Sequence, residues 1–168
     1  MATQKVATYT MTTRIAAAKL AALGDVCIHW SFLEFRLEQA IWAFRGQTRK
    51  VGRMHTRRAF FMTRMRVFRA EFEKRFPAGS SARRWFETWA KTTETLSFER
   101  NFYVHGLWGY STAKGEKRNT HAVSYFDQQD GESKPATIEL LTMLRGTIAR
   151  GIETLESLVQ RHLGVPLP

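Results

Sequence analysis

Along the first quarter of the chain, apolar residues recur with helical spacing. Val26, Trp30, Leu33, Leu37, Ile41 and Phe44 follow one another at steps of three and four, on one face of a helix. The pattern predicts a helix over about residues 12–44, ended by Gly46. Gly24-Asp25 is either a kink or the cap of a separate helix. Phe61, Met65, Phe68, Phe72 and Phe76 repeat the spacing, with Arg64, Arg66, Arg69 and Lys74 on other faces. They predict a second helix over about residues 57–76, broken by the Pro and Gly of residues 77–81. Ser80 or Ser81 then caps a third helix that carries Trp85, Trp89, Leu96 and Tyr103 as core and stops near Gly106.

After Gly106 the period changes. Residues 107–112 and 120–126 are rich in aromatic and β-branched side chains, and 113–119 have turn composition. This predicts a β-hairpin. Residues 127–134 form a polar loop, and 135–138 are a candidate third strand. A last helix starts near Ile138, with Leu141, Leu144, Ile148, Ile152, Leu155 and Val159 on one face, and Gly164-Val-Pro ends it. The expected fold is mainly α: a single domain over residues 1–168, built as a helical bundle with a small β-hairpin between the third and last long helices. The methionine and aromatic stripes are its core.

Composition narrows the function. The 168 residues, 43% of them hydrophobic, suffice for one domain with a real core and exclude a disordered chain. No apolar run approaches the roughly 18 residues of a membrane span. Residues 1–23 lack a compact apolar block with a cleavage site, so the expected location is the cytoplasm. The single cysteine, Cys27, excludes an internal disulfide and any zinc site built on Cys pairs; it is expected to be a small buried hydrophobe. No cofactor is implied.

The net charge is +11, and it is localised. Residues 45–84 hold 13 basic and two acidic residues, whereas the remainder is neutral overall. A neutral scaffold with one basic segment predicts a polyanionic partner. Arg49, Lys50, Arg53, Arg57 and Arg58 are the candidate RNA-binding residues. A DNA-binding role for residues 49–58 lacks a recognition-helix pattern.

The most informative stretch is Glu99-Arg-Asn-Phe-Tyr-Val-His-Gly106. Asn101 and His105 are four apart and share a helix face. Arg100 lies five before His105, about 140° around the helix, but has a long side chain. Together they offer a titratable imidazole, a permanent forked cation and a neutral amide. That set suits RNA cleavage. The His moves a proton at the 2′-hydroxyl or the leaving oxygen, the Arg stabilises the phosphorane, and the Asn orients either group. One His cannot be base and acid at once, so the chemistry asks for two copies of the chain. The plain alternative is a His⁺ at a helix C-terminus, favoured by the dipole, beside ordinary surface residues.

With Arg100-Asn101-x-x-x-His105 at the end of the third helix, followed by Gly106-Leu107-Trp108, a strand and a final helix, the chain resembles the HEPN superfamily. Trp30 and Glu34 are similar to that family's early Trp-x-x-x-Glu signature. The resemblance implies a metal-independent endoribonuclease whose Arg100, Asn101 and His105 are catalytic. It also implies a homodimer with both motifs in one cleft, and a role as a toxin or antiphage-defence component. Any antitoxin would be a separate protein. It also admits, as the alternative, a catalytically inactive RNA- or protein-binding module, but the presence of Arg100, Asn101 and His105 together favours the enzyme. The stretch 45–58 lies outside the family signature and reads as an RNA-docking arm.

Other candidates carry less. His29, His55, His121 and His162 are scattered, and residues 114–118 have one glycine and form no phosphate cradle. Glu34 is a candidate partner for Arg100. Trp108, Tyr110, Tyr125 and Phe126 on the hairpin can stack bases, although one hairpin face must pack on helices.

Overall fold

The computed structural model of the protein describes residues 9–12, 14–111, 120–123, 133–164 and 167. In chain order these form β1 (Tyr9–Met11), α1 (Ala17–Arg45), α2 (Arg49–Thr56), α3 (Phe61–Arg75), α4 (Ser81–His105), β2 (Leu107–Ser111), β3 (Thr120–Val123), β4 (Ser133–Pro135) and α5 (Ile138–Leu163). The fold is mainly helical with a small hairpin before the last helix. The hairpin turn at 113–119, strand positions 112 and 124–126, and the polar loop 127–132 lie outside the described residues. The chain divides into two compact units, one of residues 1–27 and 97–145, the other of 28–96 and 146–168.

The first unit holds an antiparallel sheet of order β1-β2-β3-β4. In its register Trp108 lies opposite Ala122, and Met11 opposite Gly109. The sheet anchors the end of α4. The buried Trp108 indole donates to the Tyr103 carbonyl at 3.0 Å, and the Tyr103 hydroxyl donates to the Pro135 carbonyl at 3.3 Å. Lys134 on β4 reaches Glu99 on α4 at 2.7 Å. The last turns of α4 are therefore tied to β2 and β4 by groups on both sides of residue 100.

The second unit has an aromatic core. Phe72 of α3 is fully buried, stacked on Phe86 at 4.5 Å and 14°, with Phe44 at 5.4 Å and Phe76 at 4.5 Å. Such pairs add to the plain gain from burial. Trp89 donates to the Gly151 carbonyl at 2.8 Å, joining α4 to α5. The predicted α1 spine from Val26 to Phe44 is buried at all six positions.

Several expectations need correction. α1 starts at Ala17, not near residue 12, and runs unbroken through Gly24-Asp25. The second predicted helix starts four residues late, at Phe61, because residues 57–60 form a connection that ends with Phe60 in an extended N-cap conformation. β1 was not anticipated. β4 lies at 133–135 rather than 135–138, since Thr137 already caps α5 by accepting from the Leu140 N–H at 3.2 Å. Trp85 is 48% exposed, under the Arg161 guanidinium at 4.7 Å, and the buried neighbour is Phe86. Cys27 is only half-buried.

The main addition is α2, where a docking arm was expected. Its inward face is Gly52 and Thr56, both buried. The Trp42 indole lies against Gly52 and donates to Thr56 Oγ1 at 3.1 Å. Thr56 in turn donates to the Gly52 carbonyl at 3.2 Å. A glycine and a threonine, rather than large apolar residues, seat this helix on α1.

Candidate active site and cationic surface

The end of α4 brings the three predicted catalytic residues together. One guanidinium nitrogen of Arg100, Nη1, donates to Asn101 Oδ1 at 2.8 Å and stands 3.3 Å from His105 Nε2. The reach of the arginine closes the angular offset between positions 100 and 105. Asn101 and His105 are exposed, and Arg100 is half-buried. A guanidinium can only donate, so the contact suits an imidazole whose Nε2 lone pair is available. The sheet contacts of Tyr103 and Lys134 hold the turn that presents this cluster.

The basic segment is not uniform. Arg64 and Arg69 of α3 and Arg83 of early α4 are matched by carboxylates, whereas Arg66, Arg75 and Arg84 donate to the Thr63 hydroxyl and to the Phe44 and Gly79 carbonyls. Arg64 contacts Glu38 at 2.8 Å and Glu34 at 3.4 Å. Arg69 bridges Glu87 and Glu94, and Arg83 bridges Glu73 and Glu87. Burial alone would lower the Arg69 pKa, but hydrogen bonds and charge from Glu87 and Glu94 outweigh it and raise it. Around Glu71, burial pushes the carboxyl upward. Hydrogen bonds from Lys74 and Arg45, with their charges, overcome this and hold it below its ordinary value.

Arg49, Lys50, Arg53, Arg57 and Arg58 behave differently. All five are exposed, and among the described residues no carboxylate forms an ion pair with any of them. Arg49, Lys50, Arg53 and Arg57, with Met54, line an open groove on the outer side of α2. Of the expected RNA-docking residues, Arg49, Lys50 and Arg53 lie on α2, Arg57 is its C-cap, and Arg58 follows in the connection to α3.

Glu34, considered as a partner for Arg100, serves its own unit: it accepts from the Trp30 indole at 3.1 Å and from Arg64. The resemblance-derived Trp30–Glu34 pair is therefore a direct hydrogen bond. His162 lies against Phe76 at 4.8 Å, and burial, with the Arg161 charge, lowers its pKa. His29 is half-buried and His55 exposed. The side chains of Tyr110 and His121, and residues 114–118, 125 and 126, lie outside the described residues. Among the described residues no three His, Cys, Asp or Glu side chains gather as a metal site, and no helix is long and apolar enough to cross a membrane. Sequence reasoning passed over Phe60, which is 84% exposed two residues after Arg58. Its signal is a large aromatic inside a basic break between helices.

No protein-family model, curated protein or solved structure matches the chain.

Proposed function

We propose that the chain is a HEPN-like, metal-independent endoribonuclease that acts as a homodimer through Arg100, Asn101 and His105. The observation that carries this reading is the convergence of Arg100 Nη1 on both Asn101 Oδ1 and His105 Nε2. In the reaction, one His105 takes the proton of a ribose 2′-hydroxyl, whose oxygen attacks the adjacent phosphorus. Arg100 stabilises the added negative charge, and Asn101 orients the guanidinium. The P–O5′ bond breaks as His105 of a second copy protonates the leaving oxygen, giving a 2′,3′-cyclic phosphate and a 5′-hydroxyl. Phe98 supports the second copy: it is 68% exposed, three residues before Asn101 on the helix face that also carries His105. A toxin or defence role in the cytoplasm, restrained by a separate antitoxin protein, belongs to the same proposal.

The alternative is a catalytically inactive HEPN-like module that binds RNA or a protein. The exposed cations of α2 favour it, since they bind without chemistry.

The test is RNA cleavage by the wild type, His105→Ala, Arg100→Ala and Asn101→Ala. The first two variants lose about 10²–10⁴-fold in rate or more, Asn101→Ala loses less, and EDTA has no effect. RNA with a 2′-deoxy sugar at the cleaved position stays intact. Cleavage that needs a divalent metal, or that survives in both Arg100→Ala and His105→Ala, refutes the mechanism. A strictly monomeric protein in light scattering at micromolar concentration removes the basis for a shared site.

A further inference from the structure

The outer face of α2 and the connection that follows it carry a feature the cleavage site does not use. Gly52 and Thr56 turn inward to Trp42, Lys50, Arg53 and Arg57 project away from it, and Arg49, exposed at the edge nearest Gly52, lies over the Phe35 ring at 6.0 Å. Arg49, Arg53 and Arg57 are spaced by four residues, about 6 Å apart along the helix axis. Such a row can follow a chain of phosphates. The chain then leaves the helix through Arg58 and Ala59 and places Phe60 in the open, 84% exposed, at the N-cap of α3. Three residues of chain keep the Cα atoms of Arg57 and Phe60 within about 11 Å whatever the path. An exposed phenyl ring beside a row of cations matches the two needs of a single strand: charge for the backbone and a flat apolar face for an unstacked base. A duplex, whose bases are stacked inside, has no use for the ring.

We infer that α2 and Phe60 form a single-stranded RNA docking site, with Arg49, Arg53, Arg57 and Arg58 on phosphates and Phe60 stacked on a base. The inference rests on RNA as the partner in the reading above but does not require cleavage. The partner is chosen by charge complementarity: the groove on α2 is lined by four cations, none of which is ion-paired with a carboxylate among the described residues. An anionic vesicle surface and a second copy of the chain are the competing occupants.

The experiment measures binding by fluorescence anisotropy, using the full chain with His105→Ala so that the probe survives. The probes are a labelled oligouridylate and an RNA duplex of equal length. Phe60→Ala is expected to weaken oligouridylate binding at least about 5-fold, and Phe60→Trp to retain it. The dependence on salt stays the same in both. Charge reversal of Arg53, Arg57 and Arg58 lowers the salt slope instead. Oligouridylate affinity in Phe60→Ala within two-fold of the parent overturns the inference, as does tighter binding of the duplex. So does conversion of a dimer to a monomer by Phe60→Ala, or displacement of RNA by phosphatidylserine vesicles but not by unlabelled oligouridylate. Phe60-dependent binding in a wild-type chain that cleaves nothing would leave this site standing and remove the nuclease.

Discussion

Replacing Gly52 by Ala sets two physical effects against each other, and the structure decides the sign. In an exposed helix interior the change stabilises by about 1 kcal/mol, because alanine loses less conformational freedom on folding. At Gly52 a Cβ would sit 2.6 Å from Trp42 Nε1 and nearer still to Cγ and Cδ1 of the ring. Trp42 is 3% exposed and cannot swing into water without leaving a buried site. Overpacking costs about 1–3 kcal/mol, and losing the Trp42–Thr56 hydrogen bond about 0.5–1.5 kcal/mol. Against the helix gain of about 1 kcal/mol, the net is a destabilisation of about 0.5–3.5 kcal/mol. For a chain of this size that lowers the melting temperature by about 2–4 °C per kcal/mol. Gly24 supplies the control: it lies inside α1 with nothing within 4 Å of a Cβ, so Gly24→Ala should raise the melting temperature. Thermal unfolding followed by circular dichroism reads both. In a Trp42→Phe background the penalty of Gly52→Ala should shrink, since the smaller ring leaves room, and the double-mutant cycle isolates that contact. If Gly52→Ala melts at or above the wild type, α2 is not seated on Trp42 and the outward display of its cations loses its basis.

Arg64→Met should destabilise by about 3 kcal/mol or more, because it strands Glu38, whose side chain is 10% exposed, beside Glu34; adding Glu38→Gln should recover part of the loss in chemical denaturation. A melting temperature unchanged in Arg64→Met would show that these charges are solvated. His162 has a lowered pKa in the folded chain, so the unfolded chain binds the proton more readily. The stability it contributes is complete above its ordinary pKa of 6.5 and is lost as pH falls through that value toward the lowered one. His162→Leu should flatten the pH dependence of the melting temperature in that window, and an unaltered profile would remove His162 as its source.

The long helices were legible because each buries a stripe of large apolar residues, and Val26 through Phe44 needed only their spacing. α2 was not legible for the opposite reason: its buried positions are Gly52 and Thr56, which carry no hydrophobic period, and the information sits in Trp42 on another element. The site was half legible. Asn101 and His105 share a face by arithmetic, and Arg100 joins them through side-chain length, which spacing alone does not fix. The charge count misled in detail. It credited residues 45–84 with the whole net charge, but Glu34, Glu38, Glu87 and Glu94, all outside that stretch, neutralise Arg64, Arg69 and Arg83. Only tertiary structure separates matched cations from exposed ones.

That separation has an evolutionary consequence. Substitutions at Lys50, Arg53, Arg57 and Arg58 break no ion pair among the described residues, so selection can alter the charge of this surface one position at a time with little change in folding. At Arg64 the same step leaves carboxylates stranded, and any new residue there must arrive together with changes at Glu34 and Glu38. Variation in what the protein binds is thus decoupled from variation in how it folds. Under the docking role proposed for α2, a lineage of such chains can explore new polyanions there while the ion pairs of α3 stay locked in place.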